Sequence, residues 1–464
     1  MQGWVAYLPT PDFMPLLRHL TTFSIILTAS VHAVDPAPAL RILRDECLGC
    51  HKPGKAKGGL LLTTREKVIA GGDTGSALLA GKGKDSLLFQ VLSADHDNHM
   101  PPKKQMGAAE MEAIRAWIDA GAAWDARVFE ELPSVKPVKL SPLPSAYQPV
   151  LALALAPDGK RLAVASANLI TIHDLSKADR PVMAKLIGHV EAVQSLAWSA
   201  DGKTIASGGF RQVKIWDVES AKEKGMFSGI MIGNITALAM KKDGSTVFAA
   251  DGLPGNGGFI HRLDMAQMKI SATWRAHDDL IYGLRLSPKG DRLLTASADK
   301  LARLWNVADG KLITFFEGHT NHVLAADFNA DATQIVTAGA DREIKVWDVA
   351  TRNQEIKLGD KKSVYSAVGW TPDGKSLVAV TDKGAGSIFT ELQNHSGTER
   401  SETGKEKKLA AVGQMLYSLS VTADGKTIFA GGDDGIVHIW DGSGKALDKI
   451  QPGEAKRPVA ALPK

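Results

Sequence analysis

Two kinds of hydrophobic spacing divide the chain. Over residues 34–128 apolar positions recur at helical intervals broken by glycine. ALRILRDE at 39–46 sets Leu40 and Leu43 on one face and runs into a turn at Cys47. AAEMEAIRAWIDAGAAW places Met111, Ile114, Trp117 and Ile118 at i, i+3, i+6 and i+7, a single apolar stripe of the kind a helix turns toward a core. A glycine-rich stretch, KGGLLLTTREKVIAGGDTGSALLAGKGKDSLLFQVL, lies between them. Residues 129–146 then carry Pro133, Pro137, Pro142 and Pro144, a spacing that forbids helix and predicts an extended connector between two domains.

From Tyr147 the period changes to two. LALALAPDGKRLAVAS, SLAWSADGKTIASGG, GLRLSPKGDRLLTAS, AVGWTPDGKSLVAV and SLSVTADGKTIFAGG share one form: an alternating strand, a turn on Asp-Gly or Lys-Gly, and a second strand. Asp-Gly between alternating apolar runs is the strongest short hairpin signal a sequence offers. Third strands end in Trp216-Asp217, Trp305-Asn306, Trp347-Asp348 and Trp440-Asp441.

These units resemble the WD-repeat β-propeller family over roughly residues 146–452. His277, Thr295, Asp299 and Trp305 recur as His319, Thr337, Asp341 and Trp347, each 42 residues later. The resemblance implies that each set of four forms a structural hydrogen-bond chain across one blade. Counting units predicts an all-β propeller of seven blades, beginning near residues 147, 189, 233, 277, 319, 361 and 411. His173 stands where the first blade should carry tryptophan. Blades 3 and 6 lack both the tryptophan and the Gly-His signal, and carry insertions at 253–258 and 393–408, the second expected to be a solvated loop. Ring closure through 137–140 or through GKALDKI near the C-terminus is left open.

Composition changes little. A net charge of +4, with no long basic run interleaved with aromatics, argues against nucleic-acid binding. The N-terminus carries an address: MPLLRHLTTFSIILTASVHA, from Met14, has one arginine, an apolar run at 20–29 too short to span a bilayer, and Val31 and Ala33 at cleavage-site spacing. Residues 1–33 therefore read as a secretory signal peptide with its start at Met14, an uncleaved anchor being the alternative. The expectation is an exported protein, periplasmic or in the cell envelope, with no membrane span in the mature chain and residues 453–464 as a tail.

The only two cysteines lie in ECLGCHKP at 46–53. In an oxidising compartment two cysteines this close form a strained loop rather than a staple. Zinc would want a second ligand pair, and a redox dithiol a βαβ setting. C-x-x-C-H is the attachment signature of c-type haem: two thiols on one turn add to the porphyrin vinyl groups and the adjacent histidine reaches the iron. That reading makes Cys47 and Cys50 the covalent attachments of one haem c and His51 the proximal ligand. Met100, in DHDNHMPPK, is the expected sixth ligand on a loop stiffened by Pro101 and Pro102. His96 and His99 are the rivals, either of which would give bis-histidine ligation.

Residues 47–124 resemble the cytochrome c domain of planctomycete-type surface proteins through CLGCH, KGGLLL, GGDTGSALLAGKGKDSLL, HMPPK and AIRAWIDAGAAW, in that order. The resemblance implies a covalent haem, the methionine of MPP as distal ligand, and electron transfer with no substrate named. Thr63 and Thr64 depart from it at a peripheral position. Lys52, Lys55, Lys57, Lys103 and Lys104 could face an acidic redox partner or form an ordinary solvated face. The fold expected is thus a small all-α cytochrome c-like domain (34–128), a linker (129–146) and the propeller (147–452). The function expected is single-electron transfer, with the propeller docking a partner protein. The alternative is an interaction scaffold whose haem is structural or sensory. No catalytic site is legible in the propeller.

Overall fold

The computed structural model describes residues 34–102, 104–129, 131, 148–359, 361–392 and 405–452. Residues 1–33, expected to be a signal peptide, the expected tail at 453–464 and nearly all of the expected connector, including 137–140, lie outside the described residues.

The N-terminal module packs four short helices around one core: α1 (Ala37–Ile42), α2 (Arg65–Ala70), α3 (Leu87–Gln90) and α4 (Ala108–Asp119). Glu110 accepts the backbone N–H of Gly107 at 3.0 Å, satisfying a group that the start of α4 would otherwise leave open. The stripe read from the sequence turns inward: Ile114, Trp117 and Ile118 are buried against Leu40, Leu43, Leu62 and Val68. Trp117 donates its indole N–H to the Ala123 carbonyl at 2.7 Å, so the largest core side chain carries no unmet donor. Past Ile42 the chain widens into one π-helical turn (Leu43–Cys47), with the Leu48 N–H reaching the Leu43 carbonyl at 3.0 Å. Such a turn holds one residue more than an α-helical turn and so re-aims the chain beyond it, here the cysteine motif.

The second module is a propeller of seven four-stranded antiparallel sheets. Six of the seven begin with a hairpin whose Asp-Gly or Lys-Gly turn puts glycine in the left-handed region, as at Gly159 (φ 67°), Gly290 (φ 72°) and Gly425 (φ 68°). The turn aspartate locks the geometry: Asp158, Asp201, Asp373 and Asp424 each accept the N–H two residues on, at 2.8–3.1 Å. In blade 5, where the glycine is absent, Ala332 is held at φ 57°. The residue after each blade tryptophan plays the same part at the outer turn, Asp217, Asp348 and Asp441 accepting from the N–H of Ser220, Thr351 and Ser443, and Asn306 from that of Ala308.

Register places the blade tryptophans in one equivalent position: Ile205 faces Trp216, Leu293 faces Trp305, Ile335 faces Trp347 and Ile428 faces Trp440. In blade 1 Leu162 faces His173, and in blades 3 and 6 Leu263 and Phe389 occupy the site. Among the described residues the ring closes without an exchanged strand. Ala446–Ile450, within GKALDKI, is the outer strand of blade 7 itself. Blade 7 meets blade 1 through packing and an Arg180–Asp448 ion pair. The end of the second insertion also differs from expectation, because Lys405–Leu409 pairs with Gly386–Thr390 as the outer strand of blade 6.

Candidate cofactor site

The cysteine motif sits between the π-helical turn and a two-residue ribbon, His51–Lys52 pairing with Lys55–Ala56. Cys50 donates its N–H to the Cys47 carbonyl at 3.1 Å, so both thiols stand on one tight turn, and both are free. Leu62 donates to the His51 carbonyl at 2.9 Å and fixes the histidine's backbone to the glycine-rich segment.

These residues face a cavity of about 370 Å³, lined by Cys47, Cys50, His51 and Met100 together with apolar side chains such as Leu60, Leu62, Leu88, Val91 and Leu92. The volume falls in the roughly 300–1,000 Å³ range of cofactor pockets. Its walls come from five segments: CLGCH, KGGLLL, the GGDTG turn, the leucines of α3 and the MPP loop. Met100 is pinned by donation of its N–H to Val91 at 2.7 Å, and Gln105 ties the base of the loop to the Leu92 carbonyl at 3.1 Å. Neither rival histidine lines the cavity. His96 Nδ1 accepts the Asn98 N–H at 3.0 Å, while the buried Nε2 of His99 has no partner among the described residues.

The electrostatics suit a neutral histidine. Burial lowers the pKa of His51, opposed by the backbone of Leu60 and Lys57, so the ring is uncharged at neutral pH, the form that ligates a metal. Its buried Nδ1 lacks a hydrogen-bond partner among the described residues. Burial, with Glu46 and Cys50 adding to it, pushes the Cys47 thiol up to about 12. The residues around this one cavity fit a haem: two thiols on one turn, one neutral imidazole, one thioether and a largely apolar lining.

Two of the lysines near the motif are committed within the chain. Lys104 pairs with Glu46, and Lys52 Nζ donates to the carbonyls of Gly255 and Asp278 at 3.1 and 2.9 Å. Lys103 lies outside the described residues.

The eight blade residues stand apart from this cavity. In blade 4 His277 Nε2 is 2.7 Å from Thr295 Oγ1, His277 Nδ1 2.9 Å from Asp299, and Trp305 donates to Thr295 at 3.0 Å. Blade 5 repeats this through His319, Thr337, Asp341 and Trp347, at 2.8 Å for each link. Two further networks escape the sequence reading. In blade 2 His189 and Trp216 both meet Ser207 at 2.7 Å; the signal was Gly188-His189, with serine standing for threonine. In blade 3 the fully buried His261 bridges Asp251 and Thr273, each at 2.9 Å, and Asp251 accepts the Ile232 N–H. Only the strand register brings those three residues together.

Comparison with known proteins agrees with both modules. Residues 47–104 match the family described as planctomycete cytochrome C. Residues 180–217, 268–306, 310–348 and 410–441 match the WD domain, G-beta repeat. A eukaryotic translation initiation factor 3 subunit I from Meyerozyma guilliermondii is 27% identical over 181 residues, 38% of this chain and 52% of that protein. The small ribosomal subunit protein RACK1 of Saccharomyces cerevisiae is 33% identical over 175 residues, 36% of this chain and 54% of its own. The chain thus spans about half the length of the curated relatives it matches. It combines a planctomycete-type cytochrome c domain, a haem-binding module, with a seven-bladed WD-repeat propeller, a module that generally mediates protein–protein interaction. No helix among the described residues is long and apolar enough to cross a membrane.

Proposed function

We propose that this is an exported c-type cytochrome that carries one haem, covalently held by Cys47 and Cys50, and transfers single electrons while its propeller docks a partner protein. One observation carries the reading: both thiols, His51 and Met100 line the same apolar cavity, although 49 residues separate the histidine from the methionine.

The bound haem would supply a one-electron couple. The chain's own part is positional. His51, held neutral by burial, offers a ring nitrogen from the cysteine turn, and Met100 offers a thioether from a loop tied at Val91 and Leu92. A thioether in place of a second imidazole favours the reduced state and raises the potential. Leu60, Leu62, Leu88, Val91 and Leu92 supply the apolar lining that would surround the group, and an apolar surround tunes the potential of the iron it holds.

The test is spectroscopic. In protein made with a c-type maturation system, the oxidised form should show the near-infrared sulfur-to-iron band. Met100→Ala should abolish that band while the haem stays attached. Persistence of the band in Met100→Ala would reject Met100 as ligand. N-terminal sequencing of exported protein checks the address, with a first residue at Val34 expected and an earlier start contradicting cleavage.

A further inference from the structure

The hairpin of blade 3 is unlike the other six. Its two central strands, Thr246–Leu253 and Gly257–Asp264, run eight residues each, where those of blades 4 and 5 run five or six. The extra length is the LPGNGG insertion, and it projects the tip around Gly255 and Asn256 beyond its neighbours. That tip meets the haem-attachment loop. Lys52, the residue after the histidine of the cysteine motif, donates to the Gly255 carbonyl in blade 3 and to the Asp278 carbonyl at the start of blade 4. Gly49, inside the motif, comes close enough that an added Cβ would lie 3.9 Å from Asn256 Oδ1.

The receiving carbonyls are held on rigid supports. Asp279 Oδ1 accepts the Gly255 N–H at 2.8 Å and the Leu280 N–H at 2.8 Å, tying the tip of blade 3 to blade 4. The Asp278 N–H is held by Asp299, the same carboxylate that anchors His277, at 3.2 Å. Below the tip the buried Asp251–His261–Thr273 chain cross-braces the long hairpin. Gly255 itself adopts φ 78°, a left-handed conformation that suits glycine. Lys52 is half-buried and its ammonium donates to two backbone acceptors, and charge-assisted bonds of this kind are about twice as strong as neutral ones.

We infer that the blade 3 hairpin tip and the first turn of blade 4 form an intrachain docking surface for the cysteine-motif loop, with Lys52 as its positioning residue. The two modules then move as one body, and the attachment loop keeps a fixed orientation toward the propeller face that carries the blade 3 tip. A protein seated on that face would meet the cytochrome module at a set distance. The docking rests on protein contacts alone; its use in electron transfer rests on the proposed haem.

Small-angle scattering and hydrogen exchange on the full haem-loaded chain test it. A single compact body of this size has a radius of gyration of roughly 22 Å. Wild type should lie near that value, and Lys52→Arg, which keeps a cationic donor, should match it. Lys52→Glu should raise the radius by several ångströms and speed amide exchange in 49–52 and 253–258 by about tenfold or more. Asp279→Ala, which alters only the propeller side, should speed exchange in 49–52 as well. Scattering and exchange unchanged in Lys52→Glu would overturn the docking. If that variant does not fold, unchanged exchange in Asp279→Ala does so instead. Haem content is read separately from the pyridine haemochrome spectrum, so loss of the haem assignment and loss of docking give different results.

Discussion

Thr295 and Thr337 each serve two ring nitrogens with one hydroxyl. An ionised aspartate only accepts, so His277 Nδ1–H donates to Asp299, the Thr295 hydroxyl donates to Nε2, and the Trp305 N–H donates to the threonine oxygen. Thr295→Val keeps the shape and strands both ring nitrogens in a buried setting. The expected cost is about 1–3 kcal/mol, seen as a lowered melting point of the propeller. His189 gives a pH signature. Burial, with Lys214 adding to it, lowers its pKa to about 3, against 6.5 for an unperturbed histidine. Between those values the unfolded chain binds a proton that the folded chain does not, so stability falls as pH drops from about 6.5 toward 3. The contribution is at most about 1.4 kcal/mol per pH unit, and His189→Gln should flatten the slope of unfolding free energy against pH by that amount. At this scale the cysteine motif and the two repeated sets of four were legible because each is a fixed spacing in the sequence. His261 with Asp251 was not, because it joins neighbouring strands diagonally and depends on register.

At the scale of elements, periodicity read α4 and the hairpins well. Trp117 shows why: a stripe at helical spacing has one face to bury, and that face is also the floor supporting the leucines of the cofactor cavity. Trp117→Ala should cost about 3–5 kcal/mol of stability in the N-terminal module and lower the fraction of chains recovered with haem, both measurable on purified protein. Polarity misled at Lys405–Leu409. A lysine-rich run reads as a solvated loop, yet an outer blade strand exposes nearly all its side chains and needs only backbone pairing plus one buried residue, here Leu409. Blade closure was equally hidden. An exchanged strand and a self-contained last blade use the same alternating pattern, and only pairing distinguishes them.

At the scale of the whole molecule, two unlike modules share one chain, and what connects their work is the cysteine turn. Its thiols and histidine face the cavity, and the next residue, Lys52, binds the propeller. The composition of each module was plain from its own grammar. Their contact was not, because a single lysine meeting backbone carbonyls about 200 residues away leaves no pattern in either segment. The proposed function stands on the haem, and intact mass combined with the pyridine haemochrome spectrum tests it most directly. Protein matured in a c-type host should carry the mass of one haem that survives denaturation and acid-acetone extraction, with a haemochrome of the two-thioether type. Cys47→Ala together with Cys50→Ala should abolish it. A wild-type chain with no added mass after that maturation, or one whose haem extracts freely, would contradict covalent attachment and the function built on it.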